Sequence, residues 1–470
     1  MQIAIIGAGA TGLAAAYDLA RAGCAVTIYE AADHVGGLAA GFKAPGWAWS
    51  VERFYHHWFA SDRHILGLID ELGWRDRVIF PWPSTAVYHA GRFYALDGPL
   101  SALIPRWPWL DRLPGAGLLA RALYILRFPG LPLAARLRYG AMGLYLVLKR
   151  NWRPLETVTA HDWLRRWMGP AGYQALWEPL LVGKFGPHYQ EVNMAWFWAR
   201  VKARTPRLGT FVGGFQAFLD DLAERLRVRG VSIRLQTPVQ RIESRLANEG
   251  SPVGIRLYLP HGIADFDQCL VTTSPGLLAR LAPDLPDNYL ERLLAMKSLG
   301  AVVLVLALKH QLSKQGFYWH NLPKSAGFPF LALVEHTNYL SPDYFGGDHI
   351  VYCGDYLEAN HEYFTLSLEE LFERFLPAFP RFNARFTPDW VREAWLFRTP
   401  YAQPIPPLNH GRAIPDLATP IPGLWLASMS QVYPWDRGTN YAVEIGRRAA
   451  RRMLQAGGGV IGSSEPAARL

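Results

Sequence analysis

The run Gly7-Ala8-Gly9-Ala10-Thr11-Gly12 constrains this chain more than any other stretch. It follows a short apolar run, Gln2-Ile3-Ala4-Ile5-Ile6, and precedes a helical-looking Leu13-Ala14-Ala15-Ala16-Tyr17-Asp18-Leu19-Ala20. A second apolar run over residues 25–29 ends in Glu30. The order is strand, glycine turn, helix, strand, acid, which is the βαβ unit that binds a dinucleotide. Gly7 allows the tight turn, Gly9 lets the backbone approach a pyrophosphate, and Gly12 lets the helix lie on the sheet. Free N–H groups of Ala10, Thr11 and Gly12 at the helix start suit phosphate oxygens. Glu30, 18 positions after Gly12, stands near the distance of about 20 residues expected of the acid that holds a ribose hydroxyl, with Ala31 beside it. An acid there disfavours a 2′-phosphate.

A second glycine pair follows at short range, in Glu30-Ala31-Ala32-Asp33-His34-Val35-Gly36-Gly37-Leu38. It resembles the extended fingerprint of flavoproteins with two dinucleotide-binding domains, where Gly36, Gly37 and Leu38 pass close to FAD. Further on, the glycine pair Gly213-Gly214 precedes a helix. A strand over 231–235, then Thr237-Pro238-Val239-Gln240-Arg241-Ile242, then a buried strand ending in Thr273-Ser274-Pro275 come next. Near the C-terminus stand Gly423-Leu424-Trp425-Leu426-Ala427-Ser428 and Asp436-Arg437-Gly438-Thr439-Asn440-Tyr441-Ala442-Val443-Glu444-Ile445-Gly446. In this order the blocks resemble the flavin amine oxidase, protoporphyrinogen oxidase and phytoene desaturase superfamily. The resemblance implies an α/β fold: a Rossmann-like FAD-binding domain with a mixed sheet, built from 1–60, 205–275 and 395–455. An inserted α+β substrate domain would come from 61–204 and 276–394. It also implies FAD contacts at Val239, Ser428, Gly438, Thr439 and Asn440, with the last helix directed at the flavin ring. No cysteine lies in the C-terminal block, so the FAD is expected to be non-covalent.

The sequence departs from that family in two places. Amine oxidases carry a lysine near the flavin on a strand matched here by residues 299–308; the matching position is Leu304 or a neighbour, while Lys297 sits at the strand edge. The strand before the last helix lacks the family's glycine and acid. The first departure directs the expectation away from amines and toward C–H or C=C bonds; the second implies that the contact there is made by backbone or a hydroxyl. The expected activity is hydride transfer between a lipophilic substrate (isoprenoid, polyprenyl or porphyrinogen-like) and flavin N5. Two alternatives stay open: a non-redox flavoenzyme of the UDP-galactopyranose mutase type, and a membrane-surface binding protein with structural FAD.

Candidates for chemistry are few, because a flavin carries the electrons itself. His56 is an acid or base candidate, and with His57 it could equally belong to an aromatic cluster around Phe54, Tyr55, Trp58 and Phe59. Arg437 is a candidate contact for flavin or an anionic substrate. Asp436 reads as a helix N-cap. Tyr401 and Tyr433 read as ring neighbours. Lys184 and His188 fall in a Gly/Pro-punctuated stretch that reads as a solvated loop.

Composition narrows the class. Half the chain is hydrophobic, with 13% aromatic and 19% charged residues, which excludes disorder except in the tail 456–470. Three scattered cysteines offer no disulfide framework, and no metal site is expected. No leader or spanning helix is read, so a cytoplasmic protein is expected, peripheral on the inner face of a membrane. Of a net charge of +9, nearly all lies in residues 99–153, where nine cations meet one acid among several tryptophans. That segment is read as a membrane-facing or lid element and not as a nucleic-acid site. Oligomeric state is not encoded in any of these signals.

The fingerprint makes the purified protein yellow, with FAD released intact on acid denaturation. Gly9→Val should abolish retention of the flavin absorbance, because a branched side chain fills the space a pyrophosphate needs.

Overall fold

A computed structural model describes residues 1–95, 133–205, 207–246 and 252–458. The stretch 99–132, four of the nine cations included, therefore lies outside the described residues, as does the tail from 459. The elements used below are β1 (Gln2–Ile6), α1 (Ala10–Arg21), β2 (Ala25–Tyr29), α2 (Arg63–Glu71), β3 (Thr85–His89), β4 (Arg92–Ala95), α3 (Leu133–Leu148), α4 (Glu178–Phe185), α5 (Met194–Ala203) and α6 (Phe215–Val228). They continue with β5 (Ser232–Arg234), β6 (Gln268–Val271), β7 (Ser298–Leu308), β8 (Trp319–Asn321), β9 (Ala332–Glu335), β10 (His349–Leu357), β11 (Val391–Pro404), β12 (Leu424–Leu426) and α7 (Thr439–Ala456).

The three sequence blocks read as nucleotide-binding converge on one five-stranded sheet, ordered β5-β2-β1-β6-β12 and parallel throughout. Its strands are short apolar runs because both faces are covered. Ile3 and Ile5 pack with α1, α6 and α7 on one face, while Ala4 and Ile6 pack with Leu278 and Leu281 on the other. A second sheet of seven strands, ordered β11-β7-β10-β9-β8-β3-β4, carries the mixed pairing of this α/β fold: β8 pairs parallel with β3 and its other neighbours are antiparallel. β11 begins at Val391 and pairs along the length of β7, with register shifts between Leu299 and Ala301 and between Ala307 and Leu308. The block read from 395 as nucleotide-binding therefore starts inside the second sheet and reaches the first only at β12. A 14-residue strand that leaves one sheet and feeds the other carries no local boundary signal.

α1 and α7 lie side by side behind the first sheet. Glycine makes this contact possible: a Cβ on Gly446 would lie 2.3 Å from the Thr11 carbonyl oxygen, and one on Gly12 would lie 2.0 Å from that of Gly7. Arg447 then clamps the helices, donating to both carboxylate oxygens of Asp18 on α1 at 3.0 and 3.1 Å and to those of Glu71 on α2 at 2.7 and 2.9 Å. The Arg447 side chain is 18% exposed, so solvent screens it little. Arg447→Met leaves two carboxylates beside an apolar stem and should lower stability by about 2 kcal/mol, read from denaturant unfolding at neutral pH.

Candidate active site

The glycine motifs meet where β1 and β2 end. Gly9 and Gly36 form a parallel bridge, and the Gly36 N–H donates to the Ala8 carbonyl at 2.9 Å. Glu30 closes the same corner: its carboxylate accepts from the N–H groups of Ala8 at 2.8 Å and Ala32 at 2.9 Å. Ala31 is exposed there, and Val239 packs on the cluster that holds Tyr29. Gly9 differs from Gly12 in a telling way. A Cβ on Gly9 would find its nearest heavy atoms only at 3.9 and 4.0 Å, so the fold itself tolerates a side chain there. The space is kept open for something other than protein. Gly438, the residue before α7, is alike: a Cβ there would meet nothing within 4 Å.

Both long helices also start without a capping side chain and without an acid in the first turn. Their leading N–H groups are the donors a pyrophosphate and a flavin carbonyl would use. A buried hydroxyl without a partner, Thr273 Oγ1, lies near Gly7. The residues present therefore fit FAD, with Gly7, Gly9, Ala10, Thr11, Gly12, Glu30, Gly36 and Gly37 at one end and Gly438 at the other. The other C-terminal candidates face inward. Thr439 Oγ1 accepts from Trp58 Nε1 at 2.8 Å, and Asn440 Oδ1 accepts from the N–H groups of His64 and Ile65, which caps α2. Ser428 is fully buried and caps the short turn Met429–Gln431.

Beyond Leu38 a pocket opens against the second sheet. Phe54, Tyr55 and His56 form one wall, Ala301 and Val303 of β7 with Asp355 and Tyr356 of β10 another, and Thr399, Ala402 and Arg437 the rest; Asp355 is paired with Lys324. Strand alternation corrects the position matched to the amine-oxidase lysine. Leu304 points away from the pocket, into the cluster with Leu306 and Phe330, and the pocket side of β7 carries Ala301 and Val303. Lys297 pairs at the surface with Glu191 at 3.2 Å. Tyr401 turns its hydroxyl to Ser428 Oγ at 2.9 Å and Ser430 Oγ at 2.7 Å and does not line the pocket. Tyr433 packs on Trp152 and His410 instead.

Arg437 is the strong donor of the pocket. Its Nε donates to Gln403 Oε1 at 3.0 Å and its Nη2 to the Tyr356 hydroxyl. Burial opposes its charge, but Tyr356 and Asp436 beside it outweigh that and raise its pKa. His56 Nδ1 is held by the Phe54 carbonyl, which fixes Nδ1 as the proton-bearing nitrogen and leaves Nε2 as an acceptor with no partner among the described residues. Burial, helped by the Arg437 charge, pushes His56 down to about 4, and burial with Arg204 pushes His57 down to about 3. Both rings are neutral near pH 7.

Behind Arg437 lies a feature the sequence did not disclose. Asp436 is not an N-cap: α7 starts three residues later, and the carboxylate is turned inward. It accepts from Arg200 at 2.9 Å and Trp196 Nε1 at 3.1 Å, both on α5, and lies 3.3 Å from Lys184 Nζ. Lys184 is not on a solvated loop either. It stands near the end of α4, buried, over the rings of Trp196 and Tyr356. Although burial alone would raise it, Asp436 is held below the ordinary carboxylate range by Lys184, Arg200 and Arg437. One carboxylate cannot neutralise three cations, and the lysine yields: burial first, then the neighbouring arginines, set it well below its usual value despite Asp436. His188, by contrast, is a partly exposed bridge between Glu191 and Glu358. No His/Cys/Asp/Glu group suited to a metal ion occurs among the described residues.

Comparison with known proteins gives this geometry a family. The chain is 26% identical over 197 residues to a coproporphyrinogen III oxidase of Propionibacterium freudenreichii, covering 41% of this chain and 33% of that protein. It is 24% identical over 318 residues to a Synechococcus elongatus protein named for zeta-carotene desaturation, covering 60% of each. The matched stretches thus span less than two thirds of either relative. Among solved structures, an Exiguobacterium sp. 255-15 protein named for protoporphyrinogen oxidation superposes with a TM-score of 0.73 at 19% identity, over 97% of this chain and 99% of that one. The sequence profile of the flavin containing amine oxidoreductases matches residues 10–454, and the chain belongs to that family.

Proposed function

We propose that the protein oxidises a lipophilic substrate at a C–H or C–C bond in the pocket beside Arg437, and that it does not act on simple amines. The pocket lining carries this reading. Where a lysine would serve an amine, β7 presents Ala301 and Val303, and the remaining walls are largely aromatic, with Arg437 as the strong donor and Asp355, paired with Lys324, as the one carboxyl. Bound FAD supplies the two-electron acceptor. The chain's own part is to bind and orient. Phe54, Tyr55 and Tyr356 offer flat surfaces to a conjugated or isoprenoid substrate. Arg437, fixed by Gln403 and Tyr356, offers a hydrogen bond at one defined point. His56 Nε2 accepts a hydrogen bond or receives a proton released as the substrate is oxidised.

The names of the relatives, a porphyrinogen oxidase and a carotene desaturase, support the lipophilic class. A membrane-surface location is part of the same proposal. α3 leaves Leu133, Leu137, Leu144 and Leu148 between 53% and 68% exposed, at spacings that place them on one helix face. Arg136, Arg138, Lys149, Arg150 and Arg153 lie on or just after it. Among the described residues no helix is long and apolar enough to cross a membrane.

Anaerobic mixing tests the reaction. A porphyrinogen or a carotenoid precursor should bleach the flavin and benzylamine should not; rapid bleaching by benzylamine alone would overturn the proposal, and turnover without net redox would point to mutase chemistry. His56→Gln should slow bleaching about tenfold while leaving its pH profile between about pH 5 and 8 unshifted, because the wild-type ring is already neutral there. For the surface, sedimentation with anionic liposomes should fall sharply in a Leu137→Ser, Leu144→Ser variant that keeps its flavin spectrum. Equal sedimentation of both proteins would remove α3 as the docking face.

A further inference from the structure

A second cavity, of about 530 Å³, opens between the segment after α3 and the outer side of α7. It shares no lining residue with the pocket beside Arg437. Its walls hold four guanidinium groups, Arg153, Arg412, Arg448 and Arg452, against two carboxylates, Glu156 and Asp416. These charges are not equally satisfied. Arg452 forks onto Asp416, and Arg448 has Glu444 at 3.5 Å. Arg153 rests only on the Trp152 ring, 5.4 Å from its centroid, and Arg412 has no ion-pair partner among the described residues.

Glu156 is the unusual member. The residue is 9% exposed, and its Oε2 is buried with no hydrogen-bond partner in place; the Tyr433 hydroxyl, likewise buried without a partner, is the polar group beside it. Gly411 stands over that oxygen: a Cβ at 411 would lie 2.8 Å from it, so a side chain there would cover it. A bare anion would be drawn by the arginines and repelled by Glu156. A ligand that carries an anion and a hydroxyl satisfies both. Guanidinium groups match phosphate oxygens in pairs, and the volume exceeds that of inorganic phosphate alone.

We propose that this cavity binds a hydroxylated organic phosphate, with Arg153 and Arg412 on the phosphate and Glu156 Oε2 accepting from a ligand hydroxyl. The chemistry is that of a glycerol phosphate headgroup at a membrane surface or of a soluble sugar phosphate. Leu148, the last exposed leucine of α3, lies four residues before Trp152.

The FAD-loaded protein is titrated by calorimetry with inorganic phosphate, glycerol 3-phosphate and glucose 6-phosphate, and is sedimented with phosphatidylglycerol and phosphatidylcholine vesicles. The hydroxylated esters should bind more tightly than inorganic phosphate. Arg153→Gln with Arg412→Gln should weaken them about tenfold or more, with flavin spectrum and melting temperature unchanged. Glu156→Gln should narrow the difference between ester and inorganic phosphate. Arginine-dependent binding of the soluble esters identifies a free phosphate ligand, and arginine-dependent binding to phosphatidylglycerol vesicles alone identifies the headgroup. If nothing saturates, or if the double variant binds as the parent does, the proposal fails. Because every readout is binding to the flavin-loaded protein, failure here leaves the oxidation reading untouched.

Discussion

The close approach of α7 to α1 is the constraint on which the rest of the structure depends. Two helices from opposite ends of the chain meet backbone to backbone because Gly446 offers no Cβ to the Thr11 carbonyl. That contact brings the N-terminus of α7 toward the nucleotide-binding corner built by β1, β2 and the two glycine loops. It also carries Arg437 into the pocket wall and Asp436 onto the α4–α5 pair. A shift of α7 would thus displace the pocket's strongest donor, the counter-charge of its buried lysine and the cap of α2 together. Arg447, bound to Asp18 and Glu71, resists that shift.

Around Asp436 the electrostatics are unbalanced. Lys184, Arg200 and Arg437 share a single carboxylate in a water-poor region, and burying unpaired charge is costly. Arg437 carries the positive end of this arrangement to the pocket wall, where the Asp355 carboxyl stands in the same lining. The neutral histidines at 56 and 57 fit the same arrangement, since a protonated imidazole would add to the repulsion.

What the sequence discloses follows the range of the interactions. The βαβ unit with Glu30 is legible because its strands, glycine turn and helix follow one another within thirty residues. Asp436 misleads, because a local rule, an acid just before a helix, competes with two cations from distant elements, Lys184 and Arg200, and the distant ones win. Lys184 misleads because the groups that enclose it, Asp436 and the rings of Trp196 and Tyr356, come from distant parts of the chain. Leu304 shows the period of two at work: a strand buried on both faces reads as one apolar run, and the sequence cannot say which residues face the pocket. The parallel pairing of β8 with β3 joins segments more than two hundred residues apart and leaves no local trace.

The uncapped starts of α1 and α7 have a consequence for the life of the protein in a cell. A glycine in place of a capping side chain costs a helix a few tenths of a kcal/mol, and at both sites the donors that lack a side-chain partner are those a dinucleotide would satisfy. Folding and cofactor supply are therefore linked by mass action. When FAD is scarce, a larger fraction of chains opens at the nucleotide corner, where proteases reach them. Abundance would follow flavin status without any dedicated sensor.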